Sequence, residues 1–538
     1  MAKMTGGQAL VAMLERHGLE VIFGLPGVQL DWLFDALYDA RDRIKLVHTR
    51  NEQATSYMAD GYARTTGKVG ACLVVPGPGV MNAMAGLSTA YATNSQVLCI
   101  AGQIQTNQIG KAYGMLHEVP HQLEMVRSAT KWAGRAMSPA EVPQLVVDGF
   151  AQLRSGRPRP VEIEIPPDVL QGTADVTLLD PVEIGRPAGD PDLLEQAAKA
   201  LGASERPIIF VGGGILQSAA WEPLAALAEM LQAPVVMSSE GRGAMTDRSY
   251  LAQEMPAATE LLPKSDVVLV VGTRFLQPAN APWGPKPGQT LIQIDVDPEE
   301  IGRNYPPTIG IEADARLGLA DLVERVGRHN RKRDSREAEL AAAKERVSDR
   351  FFEIQPQASY AMTIREEMGE DDIYLAGMTQ IGYWSYTGFP VYHPRSFLTA
   401  GYQGTLGFEF ATALGAQVGN PNRRVVASIG DGGFMYSVGE LSTAVLHKIK
   451  LIAIVFNDRA YGNVRRTQRL NFNGRILGSD LLNPDFVKLA ESFGMQGMRA
   501  EGPEGLRTAL RSALKLDEPV LIEVPVDEMP NIWSALRP

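Results

Sequence analysis

Asp431 and Asp458 are the residues whose type and spacing point most directly to chemistry. Asp431 stands in the turn Gly430-Asp431-Gly432-Gly433 after the apolar run RVVASI, and Asp458 follows Asn457 at the end of a second run, IKLIAIVF. Between them SVGELSTAVLHK has the pattern of a helix. Strand, helix, strand in that order makes a right-handed crossover with parallel strands. Both carboxylates then emerge at the carboxyl edge of one sheet, where open α/β sheets hold ligands. Two carboxylates beside glycine amides and a helix N-terminus suit a hard divalent cation carrying phosphates. Gly432 and Gly433 let backbone approach those oxygens and accept positive φ. A lone GDG is more often a tight turn, and Asn-Asp a strand-end cap. The two halves together, with Asn457 26 positions after Asp431, are much more specific.

A third carboxylate, Glu52, follows a short strand and opens a helix in IKLVHTRNEQATSYMADGYAR. At a helix start it complements the dipole; desolvated inside a site it would instead hold a proton.

These residues need sheets to position them, and the chain supplies three blocks of alternating strand and helix patterns. The first runs from residue 1 to about 185, with strands in EVIFGLPG, IKLVHTRNE, VGACLVVPGPG and QVLCIAGQ. It closes on RPVEIEIPPDV, whose alternation predicts a strand with one exposed acidic face, and a Pro- and Gly-bearing linker follows. The second, about 190–325, contains PIIFVGGGI, APVVMSS, DVVLVVGTRF and TLIQIDVDP. A charge-dense stretch of mixed sign then predicts a solvated linking helix over about 328–350. The third, about 355–538, contains DIYLAGM, RVVASIGDGG, IKLIAIVFND and PVLIEVPV. The expected class is α/β, three consecutive domains with mainly parallel sheets, the central one Rossmann-like. The similar closing strands argue for related folds.

At 538 residues the chain is too long for one core. A net charge of −11 argues against nucleic acid or an anionic membrane as partner. Two cysteines make no disulfide framework. No apolar run approaches the roughly 20 residues that span a bilayer, and the N-terminus moves directly into an amphipathic helix. A cytoplasmic enzyme is the expectation.

The GDG turn, its Asn partner and the Glu52 segment together resemble the thiamin-diphosphate enzymes, in particular acetolactate synthase large subunits and 2-oxo acid decarboxylases. FGLPG, GPGVMN (77–82), AGQI, RSATKW and GTRF add to the likeness. The resemblance implies that Asp431, Asp458 and the Ala460 carbonyl ligate Mg²⁺, with Asp458 standing where the family has a second Asn. Gly430, Gly432, Gly433 and Asn463 would line the clamp around the diphosphate, with Gly377, Thr379 and, in the first block, Gly27 as further cofactor contacts. Leu406, in GYQGTLGFEFATALG, would wedge between the two cofactor rings. Glu52 would contact the aminopyrimidine and promote loss of the C2 proton.

Substrate positions depart from the synthases. Leu116-His117-Glu118 replaces Phe-Gln-Glu, which makes His117 the candidate proton shuttle or substrate donor, with His121 a competitor. Pro167 stands where a lysine is usual, Pro278 replaces the acceptor-binding arginine, and Arg465-Arg466 replaces Gln-Trp. VGGGI (211–215) lacks the full dinucleotide fingerprint, so FAD is not expected. The resemblance implies a lyase or carboligase on a 2-oxo acid, built as a homodimer or homotetramer in which the first block of one subunit faces the third of its partner. Cleavage of an acyl-CoA or a diketone, a noncatalytic cofactor-binding homologue and a flavin-dependent oxidase are the alternatives.

Overall fold

A computed structural model describes residues 2–276 and 284–534. Each block folds around one six-stranded parallel sheet. Across the first sheet the strands run Lys45–His48, Val21–Gly24, Gly70–Val74, Val97–Gly102, Val161–Ile165 and Trp132–Arg135. Across the third they run Phe397–Leu398, Ile373–Ala376, Val425–Gly430, Ile452–Asn457, Val520–Pro525 and Gln496–Arg499. Numbered within each block in chain order, both sheets read 2-1-3-4-6-5. The central sheet reads 3-2-1-4-5-6, the doubly wound dinucleotide-binding order. The relatedness suggested by the similar closing strands thus extends to strand order only between two of the blocks. The first and third match in strand order and the central one is separate.

The third sheet's strands read as continuous apolar runs because both faces are covered. Ala427, Ile429, Ala453, Val455 and Leu521 face a core shared with the first block. Val426, Ile452, Ile454, Ile522 and Val524 face a core shared with the central block. The first sheet turns Phe23, Cys72, Val74 and Cys99 into the same shared core. Between the two sheets lie the helices Glu52–Thr66 and Phe408–Gly419. Their crossing depends on glycine: a Cβ on Gly61 would lie 2.0 Å from the Thr412 carbonyl, and one on Gly415 1.9 Å from that of Met58.

Two expectations are corrected here. Glu162 and Glu164 are fully buried rather than solvated. The unpredicted edge strand Trp132–Arg135 pairs alongside them, and Glu164 is met by Arg135, Gln103 and Gln122. The linking helix is Glu337–Phe352, with irregular backbone before it. Arg333 and Arg336 in that region are half-buried. Arg333 donates to the carbonyls of Leu201, Gly202 and Ser204 at the end of the helix Pro191–Ala203, where cations are favoured.

Candidate functional site

The strands Val425–Gly430 and Ile452–Asn457 pair in parallel with Gly430 opposite Phe456, so Asp431 and Asp458 leave the sheet at one edge. Gly430 is the N-cap of a helix that starts at Asp431, six residues before the predicted helix. Gly432 and Gly433 are consequently helical, not at positive φ, and their smallness serves space instead. A Cβ on Gly432 would sit 2.6 Å from the Tyr461 ring, and one on Gly433 3.2 Å from the Glu409 carboxylate oxygens.

Asp431 is 2% exposed. One of its oxygens accepts from the Gly432 amide at 2.9 Å and the other from Asn483 Nδ2 at 2.5 Å. Asn483 also donates to Asn457 Oδ1 at 2.9 Å, and Asn457 in turn donates to Glu523. Asp458 accepts from the Ala460 amide at 3.1 Å. Burial raises the Asp431 pKa; burial, followed by the charge of Asp431, pushes Asp458 up to about 7. Carboxylates that converge in this way share a proton or share a cation. Arg459, between Asp458 and Ala460, is left-handed at φ 54°, a conformation a non-glycine residue keeps only where its surroundings enforce it. Leu481 N–H donates to Arg459 O and Tyr461 N–H to Ser479 O, so the Ala460 carbonyl lies outside that pairing. Gly462 allows the close approach of Asp458, because a Cβ there would lie 2.2 Å from Oδ2. The donor set of two carboxylates and a carbonyl fits a hard cation. Among the described residues, no group of three or more His, Cys, Asp or Glu side chains gathers as an alternative metal cage.

Gly377 ends the strand Ile373–Ala376 on the same edge, and Thr379 caps the helix Gln380–Gly388. Leu406 is half-buried beside Gly407, which turns the chain at φ 87° into the helix Phe408–Gly419. Asn463 Oδ1 accepts from Arg466 at 2.6 Å. Arg466 itself is buried and also donates to Gln380 and to the Met529 carbonyl. Arg465 pairs with Asp480 nearer the surface.

Glu52 and His117 sit at the carboxyl edge of the first sheet. Glu52 opens its helix behind the cap Asn51, is half-buried, and accepts from Asn82 Nδ2 at 3.0 Å. His117 is left-handed at φ 67°, with Nδ1 3.1 Å from Gln29 Oε1 and its backbone against Gly77. His121 is exposed at a helix start. Gly27 packs against Val75 in the loop after the first strand of this sheet. Pro278 lies outside the described residues.

Sequence reasoning missed Asn483, Gly462, Glu409 and Glu440. Glu440, six residues past the Gly433–Phe434 peptide, accepts from the backbone amides of Arg50 and Asn51 at 3.0–3.1 Å. It ties the clamp's helical segment to the residues that precede Glu52. A separate cavity of about 350 Å³ opens at the carboxyl edge of the central sheet, lined by Gly212, Gly214, Arg274, Asp295 and Tyr402. No helix among the described residues is long and apolar enough to cross a membrane.

Comparison with known proteins agrees with this geometry along nearly the whole chain. Residues 4–125, 194–322 and 376–524 match, respectively, the N-terminal TPP binding domain, the central domain and the C-terminal TPP binding domain of thiamine pyrophosphate enzymes. A probable acetolactate synthase large subunit from Methanocaldococcus jannaschii is 34% identical over 97% of this chain and 92% of its own. A probable 2-ketoarginine decarboxylase from Pseudomonas aeruginosa is 34% identical over 97% and 94%. An acetolactate synthase from Mycobacterium bovis is 31% identical over 99% and 90%.

Proposed function

The chain belongs to the thiamine pyrophosphate enzyme family, and from that premise we propose that it breaks, and in carboligation makes, the carbon–carbon bond beside the carbonyl of a 2-oxo acid with Mg²⁺ holding the cofactor's diphosphate. It is a thiamin-diphosphate-dependent enzyme of the carboligase or decarboxylase type. The observation that carries the metal and cofactor assignment is the convergence of Asp431 and Asp458 at one sheet edge beside Gly432 and Gly433.

When bound, the cofactor supplies the electron sink that lets a 2-oxo acid lose CO₂. The chain's residues supply placement and proton control. Asp431, Asp458 and the Ala460 carbonyl hold Mg²⁺, and Gly377, Thr379 and the Gly430–Gly433 segment receive the diphosphate. Leu406 supports the two rings. The Glu52 carboxylate holds a proton at the aminopyrimidine ring nitrogen. Glu52 reaches a clamp by pairing of subunits, so a homodimer or homotetramer with first block facing third is the assembly proposed. His117, kept in place by Gln29, is the proton donor or substrate contact at the mouth. Pro278 stands where the synthases' acceptor-binding arginine would be, and Pro167 where a lysine is usual, which favours protonation of the product over condensation of two pyruvates. This reading supports the probable decarboxylase among the relatives at least as well as the synthases.

Two measurements test it. Exchange of the cofactor C2 proton, followed by NMR on the holoenzyme, should be fast in the parent and at least about a hundredfold slower in Glu52→Gln, since general acid–base groups contribute roughly 10²–10⁴. Unchanged exchange in the variant removes Glu52 from the mechanism. A panel of 2-oxo acids with product analysis then separates aldehyde from acyloin, and a chain that turns over none of them in the presence of thiamin diphosphate and Mg²⁺ refutes the 2-oxo acid assignment.

A further inference from the structure

Glu409 lies two positions past Gly407 in the helix Phe408–Gly419 and is 0% exposed. Oε1 accepts from the Met378 amide at 3.0 Å and Oε2 from the Gly407 amide at 3.0 Å. Its stem packs on Gly377, where a Cβ would come within 2.7 Å of Cγ, and its oxygens face Gly433. One side chain therefore meets three of the backbone segments assigned to the cofactor, at Gly377–Met378, at Gly407 and at Gly433. Nothing in the chemistry described so far requires a carboxylate there.

The site is expensive for a charge, and burial pushes Glu409 up to about 7 against the opposing pull of the two amides. The titratable groups acting on it from neighbouring elements are the phenols of Tyr57, from the first block's helix, and of Tyr383 and Tyr386, from the helix Gln380–Gly388. What the carboxylate provides is a tie. The segment 401–407 carries left-handed glycines at 401, 404 and 407, a backbone with many conformations to lose. Two amide bonds to one ionised side chain fix its end against the strand-end segment Gly377–Met378, and bonds to an ionised acceptor are about twice as strong as neutral ones.

We propose that Glu409 is a positioning residue for the cofactor, tying the Leu406–Gly407 peptide to the Gly377–Met378 peptide and so setting the spacing between the ring wedge and the diphosphate contacts. The inference rests on the thiamin-diphosphate reading. Ionised, the side chain accepts from both amides. Protonated, one oxygen becomes a donor and the tie slackens. Glutamine keeps the size but only one acceptor oxygen; alanine keeps neither.

The test is the Kd of thiamin diphosphate at saturating Mg²⁺, by calorimetry, for the parent, Glu409→Gln and Glu409→Ala between pH 6 and 8.5. At pH 8 the Gln variant should bind about tenfold more weakly and the Ala variant more weakly still. The parent-to-Gln ratio should fall toward one at pH 6. Asp431 and Asp458 titrate in every protein compared, so the ratio isolates Glu409. Equal affinity of parent and Gln variant, or a ratio that does not change with pH, overturns the proposal. If neither variant folds, hydrogen exchange on the parent decides: protection of 377–379 and 401–407, corrected for intrinsic rates, falls as pH drops below 7, and constant protection overturns it. A parent that binds no thiamin diphosphate at any pH defeats the cofactor reading instead, and leaves the exchange result to judge the tie.

Discussion

Asp431 and Asp458 approach each other because two parallel strands end side by side, and in the absence of a cation that approach has a measurable sign. Asp458 is raised from the ordinary carboxylate range to about 7, first by burial and then by Asp431. Its native pKa therefore stands above its unfolded one. Between about 4 and 7 the folded chain keeps a proton that the unfolded chain has released, so metal-free stability is highest below this window and falls as pH rises through it. Asp458→Ala removes that penalty. Without Mg²⁺ the variant should melt higher than the parent at pH 8, by roughly 1–3 kcal/mol of stability after discounting partial exposure, with no advantage at pH 4. It should also bind thiamin diphosphate and Mg²⁺ at least tenfold more weakly by calorimetry. A variant that binds both as tightly as the parent means that Asp458 is not a ligand.

The pair of helices Glu52–Thr66 and Phe408–Gly419 sets how the first block sits on the third, and the two glycines at their crossing set the distance. Gly415→Ala puts a methyl 1.9 Å from a backbone carbonyl that has no rotamer by which to yield. The helices must separate, and overpacking of this kind costs about 1–3 kcal/mol or more. A lowered urea midpoint is expected, together with weaker cofactor binding, since Gly407 and Glu409 begin the displaced helix. An unchanged midpoint would show that the crossing is loosely packed. These helices illustrate what could be read in advance. The strands Val425–Gly430 and Ile452–Asn457 were legible because both faces are apolar and their ends are sharp. Phe397–Leu398, Trp132–Arg135 and Gln496–Arg499 were not, because they carry no sustained apolar run and gain their pairing from neighbours already in the sheet. The same physics hid Asn483, 52 positions from the Asp431 it supports, and Glu409, whose role depends on amides brought together by tertiary folding. Gly430, Asp431 and Asp458 were visible because local sequence alone puts them at strand ends.

The three blocks meet at an ionic joint around the buried Arg64 and Asp60. Arg64, near the end of the Glu52 helix, donates to the Thr399 carbonyl of the third block at 2.8 Å and to Glu240 of the central block at 3.0 Å. Thr399 Oγ1 also donates to Glu240, and Asp60 lies 3.5 Å from Arg64 in a fully buried position. Arg395 repeats the pattern in the other direction, donating from the third block to Thr66 and Leu216 carbonyls of the first and central blocks. Glu240 in addition lines the central cavity, so this joint links that cavity to the segment leading into Leu406. Removing one partner of such a cluster leaves charges buried without compensation, and breaking a buried pair costs about 3–5 kcal/mol. Arg64→Met keeps the length of the side chain and strands Asp60 and Glu240. The central block shares its core with the third block alone and meets the first through this joint, through Arg395 and through the pairing of Arg157 with Asp297 and Glu300, so loss of Arg64 should weaken one of three ties. Differential scanning calorimetry should then show the variant unfolding at a lower temperature than the parent, in one transition, because the shared cores still join the first block to the third and the third to the central. Glu240→Gln, which keeps a hydrogen-bonding oxygen for Arg64 and Thr399, should retain a single transition at a lower temperature. An unshifted transition in Arg64→Met would mean that the joint adds nothing to the packing of the blocks and that the apolar cores carry their cohesion.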